Sequence, residues 1–238
     1  MFNFSATPPL SLYIHIPWCV RKCPYCDFNS HAVKDSIPEQ AYVDALLADL
    51  EHDLPSVWGR VVETIFIGGG TPSLFSPDAV DRLLCGIRAR ITLDPQAEIT
   101  LEANPGTVDR EYFYGFREAG VNRLSIGVQS FDQEALRALG RVHDPDQALA
   151  AIEIAATVYD TYNLDLMFGL PGQDMGALQR DLDQVRAIAP PHWSCYHLTI
   201  EPNTYFASFT PADLPDDDLA ADMLDAVSDT AKSIGLTH

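Results

Sequence analysis

Short apolar runs alternate along this chain with longer amphipathic segments, the pattern of successive β–α units. Strands are expected over Leu12–Ile16, Glu63–Ile67, Glu98–Ala103, Arg123–Val128, Leu164–Phe168 and Trp193–Leu198. Helices are expected over Pro38–Asp53, Pro77–Arg90, Asp109–Ala119, Pro145–Tyr159, Met175–Ile188 and Asp216–Ile234. Pro38, Pro77 and Pro145 fall in first turns, where the missing N–H costs nothing, and Gly120 suits a helix C-cap. Repeated β–α units imply an α/β fold, a parallel sheet with outer helices. Strands covered on both faces should read apolar throughout. Periodicity does not choose between an open doubly wound sheet and one curled into a barrel.

Composition narrows the class. A chain of 238 residues with 47% hydrophobic residues can bury one large core. No apolar run approaches the roughly 18 residues of a membrane span, and MFNFSATPPL lacks the basic start and apolar core of a signal peptide. A net charge of −19 argues against nucleic acid and against an anionic membrane surface. Part of that charge lies in the stretch DLPDDDLAADMLD, residues 213–225, which reads as an acidic helix start. Five cysteines, three of them clustered, suit a reducing cytoplasm better than a disulfide framework.

The clustered cysteines lie in Leu12 to Asn29, LYIHIPWCVRKCPYCDFN, where Pro17 stops the first strand. Cys19, Cys23 and Cys26 are spaced C-x3-C-x2-C on the loop that follows. A disulfide would leave one thiol over. Structural zinc wants four ligands, commonly as two separated pairs, and a fourth would have to come from His15, His31 or a distant cysteine. An iron–sulfur cluster normally takes four cysteines; three would leave one iron open to a small molecule. Zinc and redox thiols remain alternatives on spacing alone. Cys85 and Cys195 read as buried small hydrophobes.

The spacing after a first strand resembles the signature of the radical S-adenosylmethionine (SAM) superfamily. The wider string LYIHIPWCVRKCPYCDF resembles the branch that holds the oxygen-independent coproporphyrinogen III oxidases and the HemW-type haem chaperones. The resemblance runs from about Leu12 to Phe206. It implies a partial (β/α)6 barrel of the TIM type, open on one side. It also implies a [4Fe-4S] cluster on Cys19, Cys23 and Cys26, with SAM on the open iron. Full-length relatives carry a further C-terminal domain, so residues 1–238 are expected to be the core domain alone.

Polar residues recur at the C-terminal ends of the strands, the edge where parallel β/α proteins bind ligands. The second strand ends in Gly68-Gly69-Gly70-Thr71-Pro72. Taken alone this is a tight turn. The resemblance makes it the loop that holds the SAM amino group, through Gly69, Gly70 and Thr71. It assigns further SAM positions to Glu102, Gln129, Arg141 and Asp165. Tyr13 and Tyr25 match positions beside the cluster and SAM, and Tyr196 matches an adenine contact made largely through backbone. These types suit the ligand: carbonyls and carboxylates meet an ammonium and a ribose diol, and a guanidinium meets a carboxylate.

GRVHDPDQA and YHLTIEPNTYF resemble the HemW branch more than the oxidase branch. The oxidase motif continues to a fourth cysteine, C-x3-C-x2-C-x-C, where this chain has Phe28, and the oxidases carry a longer N-terminal segment. The function implied is haem binding and delivery to acceptor haemoproteins, with haem as cargo and an electron-donor protein as a further partner. The alternative is coproporphyrinogen III oxidation by a 5′-deoxyadenosyl radical. His15, His31, His192 and His197 all qualify as haem ligands, and nothing in the sequence selects among them. His143 reads equally as a loop histidine near a helix cap.

Overall fold

The structure, a computed structural model, describes residues 6–107 and 109–237. The first five residues of the stretch read for a signal peptide lie outside them. Six strands form one parallel sheet: β1 (Leu10–Ile16), β4 (Val62–Gly69), β5 (Leu93–Ala103), β6 (Arg123–Gln129), β7 (Thr161–Phe168) and β8 (His192–His197). Two two-residue strands, β2 (Trp18–Cys19) and β3 (His31–Ala32), pair with each other and pin both ends of the cysteine loop. The helices are α1 (Glu39–Asp53), α2 (Pro77–Arg88), α3 (Arg110–Ala119), α4 (Gln133–Ala138), α5 (Pro145–Val158), α6 (Met175–Ile188), α7 (Tyr205–Ser208) and α8 (Asp217–Ser233).

The strand order is β1-β4-β5-β6-β7-β8, each new strand adding beside the last. A doubly wound sheet reverses its order at a switch point; this one does not. With right-handed crossovers all in one direction, the helices fall on one side. Among the described residues β1 and β8 do not pair, so the sheet is not a closed barrel.

One-sided helices split each strand into two faces. Ile14 and Ile16, Ile65 and Ile67, Ile99 and Leu101, Leu124 and Ile126, Leu164 and Leu166 pack into the main core. Against them lie Phe113 and Phe116 of α3, Leu83 and Leu84 of α2 and Ile152 of α5, all buried. The alternate positions are mostly polar: Ser11, Tyr13 and His15; Thr64; Thr100 and Glu102; Arg123 and Ser125; Asn163 and Asp165; Ser194 and Tyr196. The expectation of strands apolar on both faces is therefore corrected, because only one face meets the helix layer.

Helix ends follow local chemistry. Gly120 closes α3 in the left-handed conformation at φ 106°. Asp144 and Gln147 form a capping box at the start of α5. Asp216 caps α8, with Asp217 and Asp218 in its first turn, so the acidic stretch is a helix start. Cys85 is a second correction. It is exposed on α2 with its thiol toward Asp81, because the buried stripe of that helix is Ala79, Val80, Leu83, Leu84 and Ile87. Cys195 is largely covered, and burial pushes its thiol up to about 12.

Candidate functional site

At the C-terminal ends of the strands lies a cavity of 330 Å³. The cysteine loop forms one wall, and the ends of β4, β5, β6, β7 and β8 form the rest. Cys19, Cys23 and Cys26 all reach it as free thiols, Cys19 buried and the other two partly exposed. The Cys26 amide donates to the Cys23 carbonyl at 3.1 Å, the turn that a C-x2-C spacing makes. Burial raises the Cys26 thiol above its usual range.

The glycine turn is clamped against this loop by backbone bonds. Gly70 N–H donates to Ile16 O at 2.8 Å, and Thr71 N–H to Trp18 O at 2.7 Å. A Cβ on Gly70 would lie 2.6 Å from Trp18 O and 3.0 Å from Cys19 Sγ, so only glycine allows this approach. Gly69 has φ 119°, and its N–H donates to Glu102 Oε2 at 3.1 Å. Burial pushes the Glu102 carboxyl up to about 7, with the Gly69 N–H opposing and nearby Asp165 adding to the rise.

Asp165 is the hub of a polar network across three strands. Its carboxylate accepts from Ser125 Oγ at 3.1 Å, Asn163 Nδ2 at 2.7 Å and Tyr196 OH at 3.0 Å. Asn163 also donates to Ser125 Oγ and accepts from Ser194 Oγ. Sequence reading missed Ser125, Asn163 and Ser194. Their signal was period-two spacing, since each lies two residues before Gly127, Asp165 or Tyr196 on the same face. Tyr196 lines the cavity and reaches the network through its hydroxyl.

Arg141 follows α4 and reaches back over β6. It donates to Gly127 O at 2.8 Å and approaches Cys23 Sγ at 3.7 Å. Its Nε is buried without a partner among the described residues. In return Arg21 of the cysteine loop donates to Gly140 O at 2.6 Å. Tyr25 neighbours this guanidinium, its phenol raised by burial. Gln129 closes β6 at φ 69°, beside an irregularity in the β6–β7 register. Gly127 makes room for both neighbours, since a Cβ there would lie 3.1 Å from Gln129 Nε2 and 3.3 Å from Arg141 Nη2.

One residue of the set stands apart. Tyr13 is on the inner face of β1, 57% exposed, stacked on Phe66. Its hydroxyl donates to His15 Nδ1 at 3.0 Å, which leaves His15 Nε2–H to donate to Asn29 O. Of the four haem-ligand candidates, His197 lines the cavity, its ring against Phe168. His31 and His192 are exposed, and His192 begins β8 at the opposite sheet edge. His143 is buried between the ends of β5 and β6, with Nε2–H donating to Val128 O at 3.0 Å and Nδ1 facing the Asn104 amide. Burial, helped by the Arg141 charge, pushes it down to about 4 and keeps it neutral. Phe28 lines the cavity beside Cys26 and is 57% exposed.

The donor set suits a cluster. Three free thiols face one cavity, yet among the described residues no three Cys, His, Asp or Glu side chains converge as ligands of one metal ion do. A four-iron cluster needs no such convergence, since each thiolate takes its own iron. The orphaned Arg141 Nε and the glycine cradle supply polar groups and close backbone approach for a small anionic or zwitterionic ligand beside it.

Comparison with known proteins places this geometry. Heme chaperone HemW of Escherichia coli (strain K12) is 56% identical over 219 residues, 92% of this chain and 58% of that protein. Heme chaperone HemW of Haemophilus influenzae is 52% identical over 223 residues, with the same coverage of 92% and 58%. The chain thus spans 58% of the length of these relatives. Coproporphyrinogen III oxidase (HemN) from Escherichia coli, a radical SAM enzyme, superposes with a TM-score of 0.87 at 30% identity, over 95% of this chain and 53% of that one. The model of the Radical SAM superfamily matches residues 13–185, from within the first sheet strand into α6. A family that implies a [4Fe-4S] cluster and SAM meets here three free thiols, a glycine cradle and a polar strand edge around one cavity, and the chain belongs to the radical SAM superfamily.

Proposed function

We propose that residues 1–238 are the cluster- and SAM-binding core domain of a HemW-type haem chaperone, a protein of the cytoplasm. Its cargo is haem, its partners are acceptor haemoproteins, and an electron-donor protein reduces it. The observation that carries this reading is the 56% identity to Heme chaperone HemW across 92% of the chain.

Cys19, Cys23 and Cys26 hold the [4Fe-4S] cluster in this reading. When bound and reduced, such a cluster supplies the electron that can open the sulfonium of SAM. The chain's own residues do the positioning. Carbonyls of Gly69 to Thr71 take the SAM ammonium, and Arg141 takes its carboxylate. Glu102 and Asp165 accept from the ribose hydroxyls, and Gln129, Tyr25 and Tyr196 line the remaining wall. Tyr13, held on β1 outside the cavity, acts through His15 and the end of the cysteine loop. Glu102, neutral for much of the acid range, would ionise as a ligand's donors replace lost water.

The 0.87 superposition on coproporphyrinogen III oxidase favours a second reading, decarboxylation of coproporphyrinogen. Phe28 weighs against it. A thiol at that position in the oxidase pattern would sit beside Cys26, whereas phenylalanine offers no proton, ligand or redox chemistry. Two assays on full-length protein with cluster, SAM and reductant separate the readings: spectroscopic haem titration, and anaerobic analysis of porphyrin products. Stoichiometric haem uptake without vinyl product is expected. Decarboxylation over many turnovers would overturn the chaperone reading.

A further inference from the structure

Gln129 is the residue on the cavity wall whose backbone is least natural for its type. At φ 69° it lies in the left-handed region, which side chains other than glycine, asparagine and aspartate enter at a cost. Such a conformation persists only where the surroundings over-determine it. The structure shows what does so. On the N-terminal side, Val128 is fully buried and its carbonyl accepts from His143 Nε2–H at 3.0 Å. On the C-terminal side, Phe131 N–H donates to Asp181 Oδ1 at 2.8 Å, and Ser130 Oγ donates to Asp181 Oδ2 at 2.7 Å. Ser130 Oγ in turn accepts from Asp132 N–H at 3.0 Å, which joins the clamp to the cap of α4.

Asp181 is unusual in its own right. It sits mid-way along α6, 2% exposed, and among the described residues it forms no ion pair within 4 Å. Its neighbours in charge are Arg180 and Asp132, which pair with each other at 3.8 Å. A carboxylate buried only to stabilise a fold is poorly used, because apolar packing there would cost less. Both of its oxygens instead go to the two residues that follow Gln129.

We infer that Asp181 is a positioning residue for the candidate SAM site: with His143 on the other side, it locks Gln129 in the left-handed conformation that puts it on the cavity wall. This rests on the SAM reading of the cavity only for its functional consequence; the lock itself is a property of the chain.

Two double-mutant cycles test it. The first needs no cofactor and reads the melting temperature of the chain. Gln129→Gly relieves the left-handed strain and should raise Tm by about 2–4 °C while Asp181 is present. In an Asp181→Ala background the lock is gone, Gln129 relaxes, and the same substitution should give no rise. Ser130→Ala removes one of the two bonds and should give an intermediate rise, which keeps the test available if Asp181→Ala does not fold. Equal rises in all backgrounds would overturn the inference.

The second cycle measures SAM affinity on reconstituted full-length protein, with iron content checked as unchanged. Asp181→Ala should weaken SAM about tenfold, but less than about twofold once Gln129 is alanine. Equal losses with and without Gln129 would mean that Asp181 is merely structural. If the unmutated protein binds no SAM, the proposed function fails, while the first cycle still decides the lock.

Discussion

Alanine at Gly70 is the smallest change that should damage the cluster loop. The added Cβ would sit 2.6 Å from Trp18 O, 2.9 Å from Trp18 C and 3.0 Å from Cys19 Sγ, well inside the ~3.5 Å of ordinary contact. The obstacle is backbone, which cannot rotate away as a side chain can. Nor can Trp18 shift freely, since its ring is wedged against Tyr42 at 4.7 Å and Phe75 at 5.9 Å between centroids. Relief must come from parting the glycine turn from the cysteine loop. That strains packing by about 1–3 kcal/mol and loses the Thr71 N–H bond to Trp18 O, about 0.5–1.5 kcal/mol more. A total of about 2–4 kcal/mol lowers Tm by about 5–15 °C in a domain of this size. Because Cys19 moves with Trp18, iron content after anaerobic reconstitution should fall as well. Gly59→Ala is the control: it forces an alanine to φ 76°, a strain that Gly70→Ala does not carry, but its Cβ meets nothing within 4 Å. If Gly70→Ala loads iron normally and melts no lower than Gly59→Ala, the clamp between the two loops is not what builds the site.

Replacing any one of Cys19, Cys23 or Cys26 by alanine should abolish cluster assembly, read as iron content and thiolate-to-iron absorption, whereas Cys85→Ala should leave both unchanged because Cys85 is exposed on α2. Glu102 predicts a pH effect on the cofactor-free chain. Its folded value of about 7 lies above the ordinary 4.5, so its contribution is fully present below pH 4.5 and is lost as pH rises to 7. His143, pushed from 6.5 down to about 4, works in the opposite sense, its contribution being present above 6.5 and lost toward 4. The two oppose each other in unmutated protein. Denaturant unfolding should therefore show the stability of Glu102→Gln, taken as its difference from the unmutated chain, rising by about 2–3 kcal/mol from pH 4.5 to 7. A parallel pair of curves would refute the burial of Glu102 as the cause.

The sequence determined the elements and the chemistry-bearing loop. Strong periodic segments with local caps are legible because the signals that end them are local: α6 begins and ends as expected, and Gly120 closes α3 in the conformation only glycine takes cheaply. The cysteine spacing and the three-glycine turn are likewise contiguous strings that can be read without coordinates. Short pieces were not legible. The two-residue ladder of β2 and β3 exists because the loop between them folds back, and α4 is six residues in a turn-rich stretch. Periodicity left open how the sheet winds, since strand order is a long-range property that it does not encode; the family resemblance implied an open (β/α)6 arrangement, and the tertiary structure has the sheet wind in one direction. That winding leaves one sheet face without helices, which is why polar Ser125, Asn163 and Ser194 sit mid-strand and hold Asp165. It also decided that Cys85 points to solvent while Asp181, an ordinary acidic residue of an amphipathic helix by sequence, is buried under the end of β6. A helix sequence tells which faces differ, but which neighbour each face meets depends on packing across tens of residues of chain, and only the fold brings Asp181 within 2.8 Å of Phe131.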